Sequence, residues 1–265
     1  MHIKRIFGLV VFVGTLLNVT PASAHFQLLY TPNVNVNKAG EIPFKIIFWH
    51  PFDNGYVMEM GMVEEFYVLN RGQKTDLKQT LKPFHFQGMS NGATAFDATA
   101  RIKRNGDYIF VLIPSPYYEE AEDIFIQQIT KSYVNKATVP TGWETPVGLP
   151  VEIVPLNKPT NIMAGSTFSG RVLANGERVA GANVEVEYLA AKPDMQTNRP
   201  MPATASPFPG GAIVAITDAN GYFTIGIPKA GFWGVAALGA GPKKLHEGKK
   251  LSQDAVLWLK AHDMK

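Results

Sequence analysis

The chain has 265 residues, of which 46% are hydrophobic and 18% charged, and it contains no cysteine. A chain this apolar can bury enough surface to offset its conformational entropy, which excludes intrinsic disorder. The absence of cysteine excludes disulfides, zinc ribbons, iron–sulfur clusters and thiol catalysis. The formal charge of +3 is too small to indicate a nucleic-acid binder.

Residues 1–24 have the features of a cleaved export signal. Two basic residues precede an apolar run from Ile6 to Leu17, and Ala22-Ser23-Ala24 is the small-residue pattern that signal peptidase recognises. The apolar run is shorter than the ~20 residues of a membrane span, so we expect no membrane anchor after cleavage. Cleavage after Ala24 predicts a nearly neutral periplasmic protein that begins at His25.

Short β-branched and aromatic runs, broken by Gly, Pro and Asn, continue from residue 25 onward without a sustained helical period. This pattern predicts an all-β fold of two β-sandwich domains, residues 25–157 and 158–265. The predicted strands are, in chain order, His25–Tyr30, Ile42–Trp49, Glu65–Asn70, Thr94–Ile102, Asp107–Pro114, Ile124–Asn135, Val151–Val154, Thr167–Ala174, Ala182–Leu189, Gly211–Thr217, Tyr222–Ile227, Gly231–Leu238 and Ala255–Lys260.

The segments between these strands have recognisable turn and loop chemistry. Arg104–Asp107 predicts a tight hairpin turn, and Pro116–Asp123 predicts a helical turn. Ile124–Asn135 has helix as its alternative, although its many β-branched and aromatic residues favour a strand. The proline-rich segment Lys192–Gly210 predicts a long surface loop.

The C-terminal half resembles the transthyretin-like, carboxypeptidase-regulatory-like domains. That resemblance implies a seven-stranded sandwich that supports or presents other domains and rarely performs chemistry. The motifs that carry it are Phe168-Ser169-Gly170-Arg171-Val172-Leu173, Val179-Ala180-Gly181-Ala182-Asn183-Val184-Glu185-Val186 and Thr217-Asp218-Ala219-Asn220-Gly221-Tyr222-Phe223.

No motif of a common enzyme class is present, so we expect a protein that is not an enzyme. The chain has no nucleophile elbow, zinc-protease motif, phosphate-binding loop or dinucleotide fingerprint. The acidic run Glu119–Asp123 offers paired carboxylates for glycoside hydrolysis. A run of this kind is more often a solvated turn.

Metal binding is better supported, and its first candidate ligand is His25. As the first residue after cleavage, His25 would offer an α-amine and an imidazole nitrogen that chelate one ion. The ordinary pKa of an α-amine, about 7.7–8.0, makes its deprotonation by a metal easy. The alternative is that a terminal histidine is accidental, but the predicted strand that follows should hold His25 near the fold.

The other candidate ligands come after the second predicted strand. His50 ends that strand before Pro51, where it can point into a cleft, although a histidine bound by backbone carbonyls is an equally simple interpretation. Met58, Glu59 and Met60 follow. Alternating methionines are more often core residues than ligands, but thioethers beside imidazole suit late first-row metals.

The remaining histidines of the mature chain are weaker candidates. His85 lies between aromatic residues and is expected on a packed strand edge. His246 lies in a lysine-rich loop and is expected to be solvated, and His262 is near the C-terminus, where we expect fraying.

The whole chain from residue 24 onward resembles the DUF4198 family, whose members are described as periplasmic components of nickel/cobalt uptake systems of the energy-coupling-factor type. The resemblance implies that the protein binds Ni²⁺ or Co²⁺ and serves a membrane-embedded transporter, with His25, His50, Met58 and Met60 as its metal-site residues. The motifs that carry it include Ala24-His25-Phe26-Gln27-Leu28-Leu29, His50-Pro51-Phe52, Gly106-Asp107-Tyr108, Pro114-x-Pro116-Tyr117, Ala121-Glu122-Asp123-x-Phe125-Ile126 and Gly148-Leu149-Pro150-Val151-Glu152-Ile153-Val154-Pro155-Leu156.

Two other functions compete with nickel or cobalt binding. A copper-handling protein is the first, because copper also favours an amine with two imidazoles. The second is a structural or carbohydrate-binding sandwich without a metal role, which would bind its ligand through surface aromatic residues. The candidates for that role are Trp143, Trp233 and Tyr117-Tyr118.

Overall fold

The computed structural model describes residues 25–207 and 211–264. The predicted export signal, residues 1–24, lies outside the described residues. Within the described ranges the fold is all-β, as predicted, with strands, one short 3₁₀-helix (Lys78–Thr80) and no α-helix. None of the described segments is a helix long and apolar enough to cross a membrane.

The strands of the first half lie between residues 26 and 136. They are β1 (Phe26–Tyr30), β2 (Asn35–Val36), β3 (Gly40–Trp49), β4 (Val57–Met58), β5 (Val63–Asn70), β6 (Gln73–Asp76), β7 (Lys82–Gln87), β8 (Gly92–Ile102), β9 (Gly106–Pro114), β10 (Tyr117–Glu119) and β11 (Ile124–Lys136).

The strands of the second half lie between residues 151 and 262. They are β12 (Val151–Pro155), β13 (Ile162–Met163), β14 (Ser166–Ala174), β15 (Glu177–Arg178), β16 (Asn183–Tyr188), β17 (Ile213–Ile216), β18 (Tyr222–Ile227), β19 (Gly231–Ala237), β20 (Leu245–His246) and β21 (Lys249–His262).

Three sheets are formed from these strands. The first has the order β1-β3-β8-β7, with β4 paired to β3. The second is a 12-stranded sheet whose main path is β17-β16-β19-β21-β11-β9-β5-β6. The third is four-stranded and contains β12, β14, β15 and β18. The second sheet packs against one face of the first sheet through β5, β9 and β11 and against the other face through β19 and β21. Its strands β16, β19 and β21 also pack against the third sheet.

The two predicted domains share this second sheet. Strand β21 pairs in parallel with β11, from Phe125 opposite Leu251 to Lys131 opposite Leu257. Strand β12, from the first predicted domain, pairs with β14 of the second. Backbone hydrogen bonds therefore join the two predicted domains. The predicted division at residues 157 and 158 does not coincide with a break in strand pairing.

The first sheet has a hydrophobic core on each face, which explains why its strand β1 has no exposed residue. Leu29 and Phe44 face one core, which they share with Phe110 of the second sheet. Phe26 and Trp49 belong to a second core on the opposite face, with aromatic residues of β19 and β21 such as Trp258. Alternate side chains of one strand fill different cores because successive residues point to opposite faces.

The structure corrects several local predictions. Residues 117–119 form strand β10 followed by a turn, so the helical turn predicted over Pro116–Asp123 is wrong. The strand prediction for the next segment is confirmed, since β11 spans Ile124–Lys136, and its helix alternative is wrong. Strand β21 extends to His262, whose Nε2 lies 2.8 Å from the Thr160 carbonyl oxygen. The expected fraying at this residue is therefore also wrong.

Candidate functional site

The two histidines predicted from the sequence lie side by side at the end of the first sheet. Strands β1 and β3 are antiparallel, with Phe26 opposite Trp49, so the next pair outward is His25 opposite His50. Directly opposed residues project from the same face of a sheet. The two imidazole rings accordingly meet edge to face, with their centroids 4.5 Å apart.

A carboxylate completes this group from the second sheet. Glu119, the last residue of β10, places Oε2 3.1 Å from His25 Nε2. Both side chains are mostly buried, with 15% exposure for His25 and 16% for Glu119. The other oxygen of Glu119 accepts a hydrogen bond from the Ala121 amide, so the turn after β10 orients the carboxylate.

Burial keeps both imidazoles neutral near pH 7. It lowers the pKa of His25, although the adjacent Glu119 opposes the shift. Burial and the neighbouring His25 together lower the pKa of His50 to about 4. The neutral form of imidazole, with one nitrogen lone pair, is the form in which histidine coordinates a metal.

The backbone around His25 is fixed by a buried side chain of β11. Gln128 Nε2 donates to the His25 carbonyl oxygen at 2.7 Å, and Gln128 Oε1 accepts from the Gln27 amide at 2.6 Å. Gln128 also donates to Asp254 Oδ2 at 3.2 Å. Both Gln128 and Asp254 are 2% exposed, so this chain of hydrogen bonds holds His25 from the protein interior.

The histidine pair lies in an open cleft of about 750 Å³ that is lined from both sheets. Met58 and Glu59 also line it, and Tyr117 and Glu119 form the side contributed by the second sheet. Met58 is therefore in the same cleft as the two histidines, although its side chain is 5% exposed.

Met60 occupies a different position. It lines a small neighbouring pocket, and its sulfur lies 3.6 Å from Gln27 Nε2, which donates to it. The four predicted ligands are thus divided, with His25, His50 and Met58 at the cleft and Met60 packed behind it.

The other candidates from the sequence lie elsewhere. Trp233 is buried at 1% exposure and Trp143 packs against the same core, so Trp233 cannot be a surface aromatic for carbohydrate binding. His85 lies on β7, an edge strand of the first sheet, as expected, but its side chain is exposed, so the expected packing is wrong. The ring of His246 packs on Phe125 with centroids 4.6 Å apart, and this histidine is only partly solvated.

Sequence reasoning missed Glu119 and Gln128. Glu119 belongs to the acidic run that was interpreted as a solvated turn, and its contact with His25 joins residues 94 positions apart. No local pattern marks either residue as a neighbour of His25. The available signal was the position of Glu119 two residues after Tyr117, which is part of the family motif.

The arrangement can contribute donors to a metal but does not surround one. Among residues 25–207 and 211–264, no three His, Asp or Glu side chains stand together in a geometry that could hold a metal ion. His25 and His50 instead form an imidazole pair at the end of the first sheet, and Glu119 is a hydrogen-bonded carboxylate from the second sheet, in a cleft that is open to a ligand.

The family model for "Domain of unknown function (DUF4198)" matches residues 22–241. The chain belongs to the DUF4198 family. The matched range includes both histidines, Met58, Met60, Glu119 and Gln128. The identity predicted from the sequence motifs is confirmed, and the family description itself names no activity.

Outside the DUF4198 family, the similarities of this chain to known proteins are weak. No curated protein matches the chain. Among solved structures, the D0-D1 domain of Intimin is 10% identical over 87% of this chain and 96% of its own, with a TM-score of 0.21. The Yersinia pseudotuberculosis adhesin InvE is 14% identical over 87% of this chain and 58% of its own, with a TM-score of 0.23. The fibronectin(III)-like modules of Clostridium thermocellum CbhA are 8% identical over 88% of this chain and 95% of their own, with a TM-score of 0.22.

Proposed function

We propose that this DUF4198 protein is a periplasmic, non-catalytic binder of Ni²⁺ or Co²⁺ that presents the ion to a membrane-embedded transporter. The observation that supports this most is the position of His25 directly opposite His50, with the two rings 4.5 Å apart in an open cleft. Two imidazole donors on adjacent strands suit these ions better than Ca²⁺ or Mg²⁺, which prefer oxygen ligands.

Export would supply a third nitrogen donor. Cleavage after Ala24 makes the α-amine of His25 a free group next to its own imidazole. His25 would then offer two nitrogens and His50 one, from residues that line the same cleft. An ion chelated by the α-amine and Nδ1 of His25 would leave the hydrogen bond between Nε2 and Glu119 in place, and this carboxylate would orient the ring and balance part of the charge of the ion.

A partial set of protein ligands fits a protein that must release its ion. Fully enclosed structural sites hold metals with apparent binding energies of about 10–16 kcal/mol. A site that provides a few donors on one wall of an open cleft binds less tightly and leaves positions for a transporter to take over.

Copper is the second candidate cargo. Met58 lines the same cleft as the two imidazoles, and a thioether is a soft ligand that favours copper. Competition between Ni²⁺ and Cu⁺ under reducing conditions separates the two assignments, whereas Cu²⁺ displaces Ni²⁺ from most nitrogen sites and does not.

The direct test is calorimetric titration of the processed protein with NiCl₂ and CoCl₂. We expect one ion per chain, and His50→Ala should weaken binding at least tenfold. His246→Ala is the matched control, because His246 lies outside the cleft, and should bind as the native protein does. Equal affinity of the native protein and His50→Ala would contradict the proposed site, and absence of binding by the native protein would contradict the function.

A further inference from the structure

We propose that the cargo of this cleft is a metal ion already held by a small organic chelator in a complex that keeps positive charge, rather than a bare aqueous ion. This inference rests on the proposed function and specifies its ligand. Four properties of the cleft support it: its volume, its incomplete donor set, its charge and an exposed aromatic side chain beside His50.

The cleft is much larger than a hydrated ion. Six waters around a metal occupy roughly 180 Å³ at the volume of liquid water, whereas the cleft measures about 750 Å³. Pockets of about 300–1,000 Å³ are typical of small organic ligands. A bare ion at the histidine pair would leave most of this volume unused.

The donors that the described chain provides are also too few and too one-sided. His25 and His50 meet at one end of the cleft, and Glu119 approaches His25 from the other sheet. Late first-row divalent ions take about four to six ligands. With the α-amine of processed His25, the protein offers three nitrogens on one side, so a chelator with three donors would complete the set from the other side.

The charge of the cleft selects the kind of chelator. Glu59, Glu119 and Glu122 line the cleft, and no Lys or Arg is among the described residues that line it. The wall is therefore acidic. An acidic wall attracts a complex that keeps positive charge and repels a metal bound to a polycarboxylate.

Tyr56 provides a surface for the organic part. Trp49 pairs with Val57, so Tyr56 is the next residue opposite His50, and its carbonyl oxygen accepts a hydrogen bond from the His50 amide at 3.2 Å. Its side chain lines the cleft and is 65% exposed. A large aromatic ring this exposed beside the imidazole pair can stack on the planar group of a bound chelator.

The test compares three forms of nickel by calorimetry on the processed protein. The probes are NiCl₂, NiCl₂ with one equivalent of L-histidine, and nickel citrate. One histidine supplies three donors and leaves a complex of charge about +1, whereas citrate gives an anionic complex. We expect nickel–histidine to bind at least tenfold more tightly than aqueous Ni²⁺, and nickel citrate to bind more weakly than either.

Variants link the preference to the cleft. Tyr56→Ser should reduce the ratio of the nickel–histidine affinity to the aqueous nickel affinity toward one. Tyr222→Ser, an exposed tyrosine of the other half (38% exposed), should leave the ratio as it is in the native protein.

The outcomes also separate this inference from the proposed function. If aqueous Ni²⁺ binds one-to-one and histidine only competes for it, the function stands and the chelate inference is overturned. A ratio that is high in the native protein and unchanged in Tyr56→Ser would overturn the assigned role of Tyr56. If none of the three probes binds, both proposals are wrong.

Discussion

Gln128 bridges the backbone of His25 and Gln27. It donates to the carbonyl oxygen of His25 at 2.7 Å and accepts from the Gln27 amide, two residues further along β1, at 2.6 Å. The side chain is 2% exposed, so water cannot replace either bond. The position of the predicted N-terminal ligand is therefore set by a residue 103 positions away.

We expect Gln128→Met to loosen His25 and to weaken nickel binding at least fivefold. The change removes both hydrogen bonds and leaves buried backbone groups without partners, which costs about 2–4 kcal/mol of unfolding free energy. Nickel titration and chemical denaturation measure the two effects separately.

Gln127→Met is the matched control for this prediction. Gln127 is buried on the same strand, but it donates to the Pro114 carbonyl oxygen and accepts from Gln253. Its replacement should cost similar stability and leave nickel affinity within twofold of the native value. Equal losses of affinity in the two variants would show that stability alone, and not the position of His25, affects binding.

The processed N-terminus gives a second prediction. Intact-mass measurement of periplasmic protein should show a chain that begins at His25, because Ala22-Ser23-Ala24 is the cleavage pattern that follows the apolar run. A chain carrying one extra Gly before His25 keeps the imidazole but displaces the α-amine.

We expect this Gly-extended protein to bind nickel at least tenfold more weakly than the native one, since it loses one of three nitrogen donors. Its melting temperature should be unchanged, because β1 begins only at Phe26. Native affinity in the extended protein would remove the amine from the site and leave the side chains alone as ligands.

The buried carboxyl group of Glu187 is expected to make the stability of the protein depend on pH. Burial, together with the charges of Asp53 and Glu185, raises the pKa of Glu187 to about 8, although the Phe52 amide donates to it and opposes the shift. The folded protein therefore keeps this proton up to about pH 8, whereas the unfolded chain loses it near the ordinary value of 4.5. The contribution of Glu187 to the free energy of unfolding is complete below the pKa that this group has in the unfolded chain, and it is lost as the pH rises toward 8.

Glu187→Gln removes this loss while keeping an oxygen that can accept from the Phe52 amide. The variant should match the native protein near pH 4.5 and exceed its unfolding free energy at pH 8, by a few kcal/mol since one pKa unit corresponds to about 1.4 kcal/mol. Denaturation at pH 4.5, 6 and 8 measures the difference. A difference that does not change with pH would show that Glu187 titrates normally in the folded state.

The shared sheet predicts that the C-terminal half does not fold as an independent unit when it is cut at the predicted boundary. A fragment that begins at Lys158 lacks β12, the partner of β14, and exposes the edge of β21 that pairs with β11. Val151 and Ile153 are fully buried in the same core as Phe168 and Val172.

We expect the fragment 158–265 to show no cooperative thermal transition by circular dichroism. A fragment 146–265, which restores β12, should recover part of the β-sheet signal. A cooperative transition in the shorter fragment would show that residues 158–265 are a domain in their own right.

Most of the long strands could be predicted because their pattern is local. Alternation of apolar residues, as in Phe223, Ile225 and Ile227, needs only the sequence of one strand and its side-chain period of two. The short strands were missed for the same reason. Val57–Met58 is two residues long and becomes a strand only because Phe48 and Trp49 lie beside it.

His25 and His50 could be predicted as metal ligands from the sequence because an imidazole is a metal donor whatever its neighbours are. Both residues also lie at the ends of predicted strands. Their contact depends on the register that places Phe26 opposite Trp49, and the approach of Glu119 depends on how the first sheet packs on the second. Contacts between residues 94 or 103 positions apart leave no periodic pattern in the sequence, because they depend on which apolar faces are buried together. The amino-acid sequence alone therefore determined the all-β class and the family, and it identified His25 and His50 as candidate ligands. Only the tertiary structure decided that Glu119, Gln128 and Tyr56 surround these two histidines.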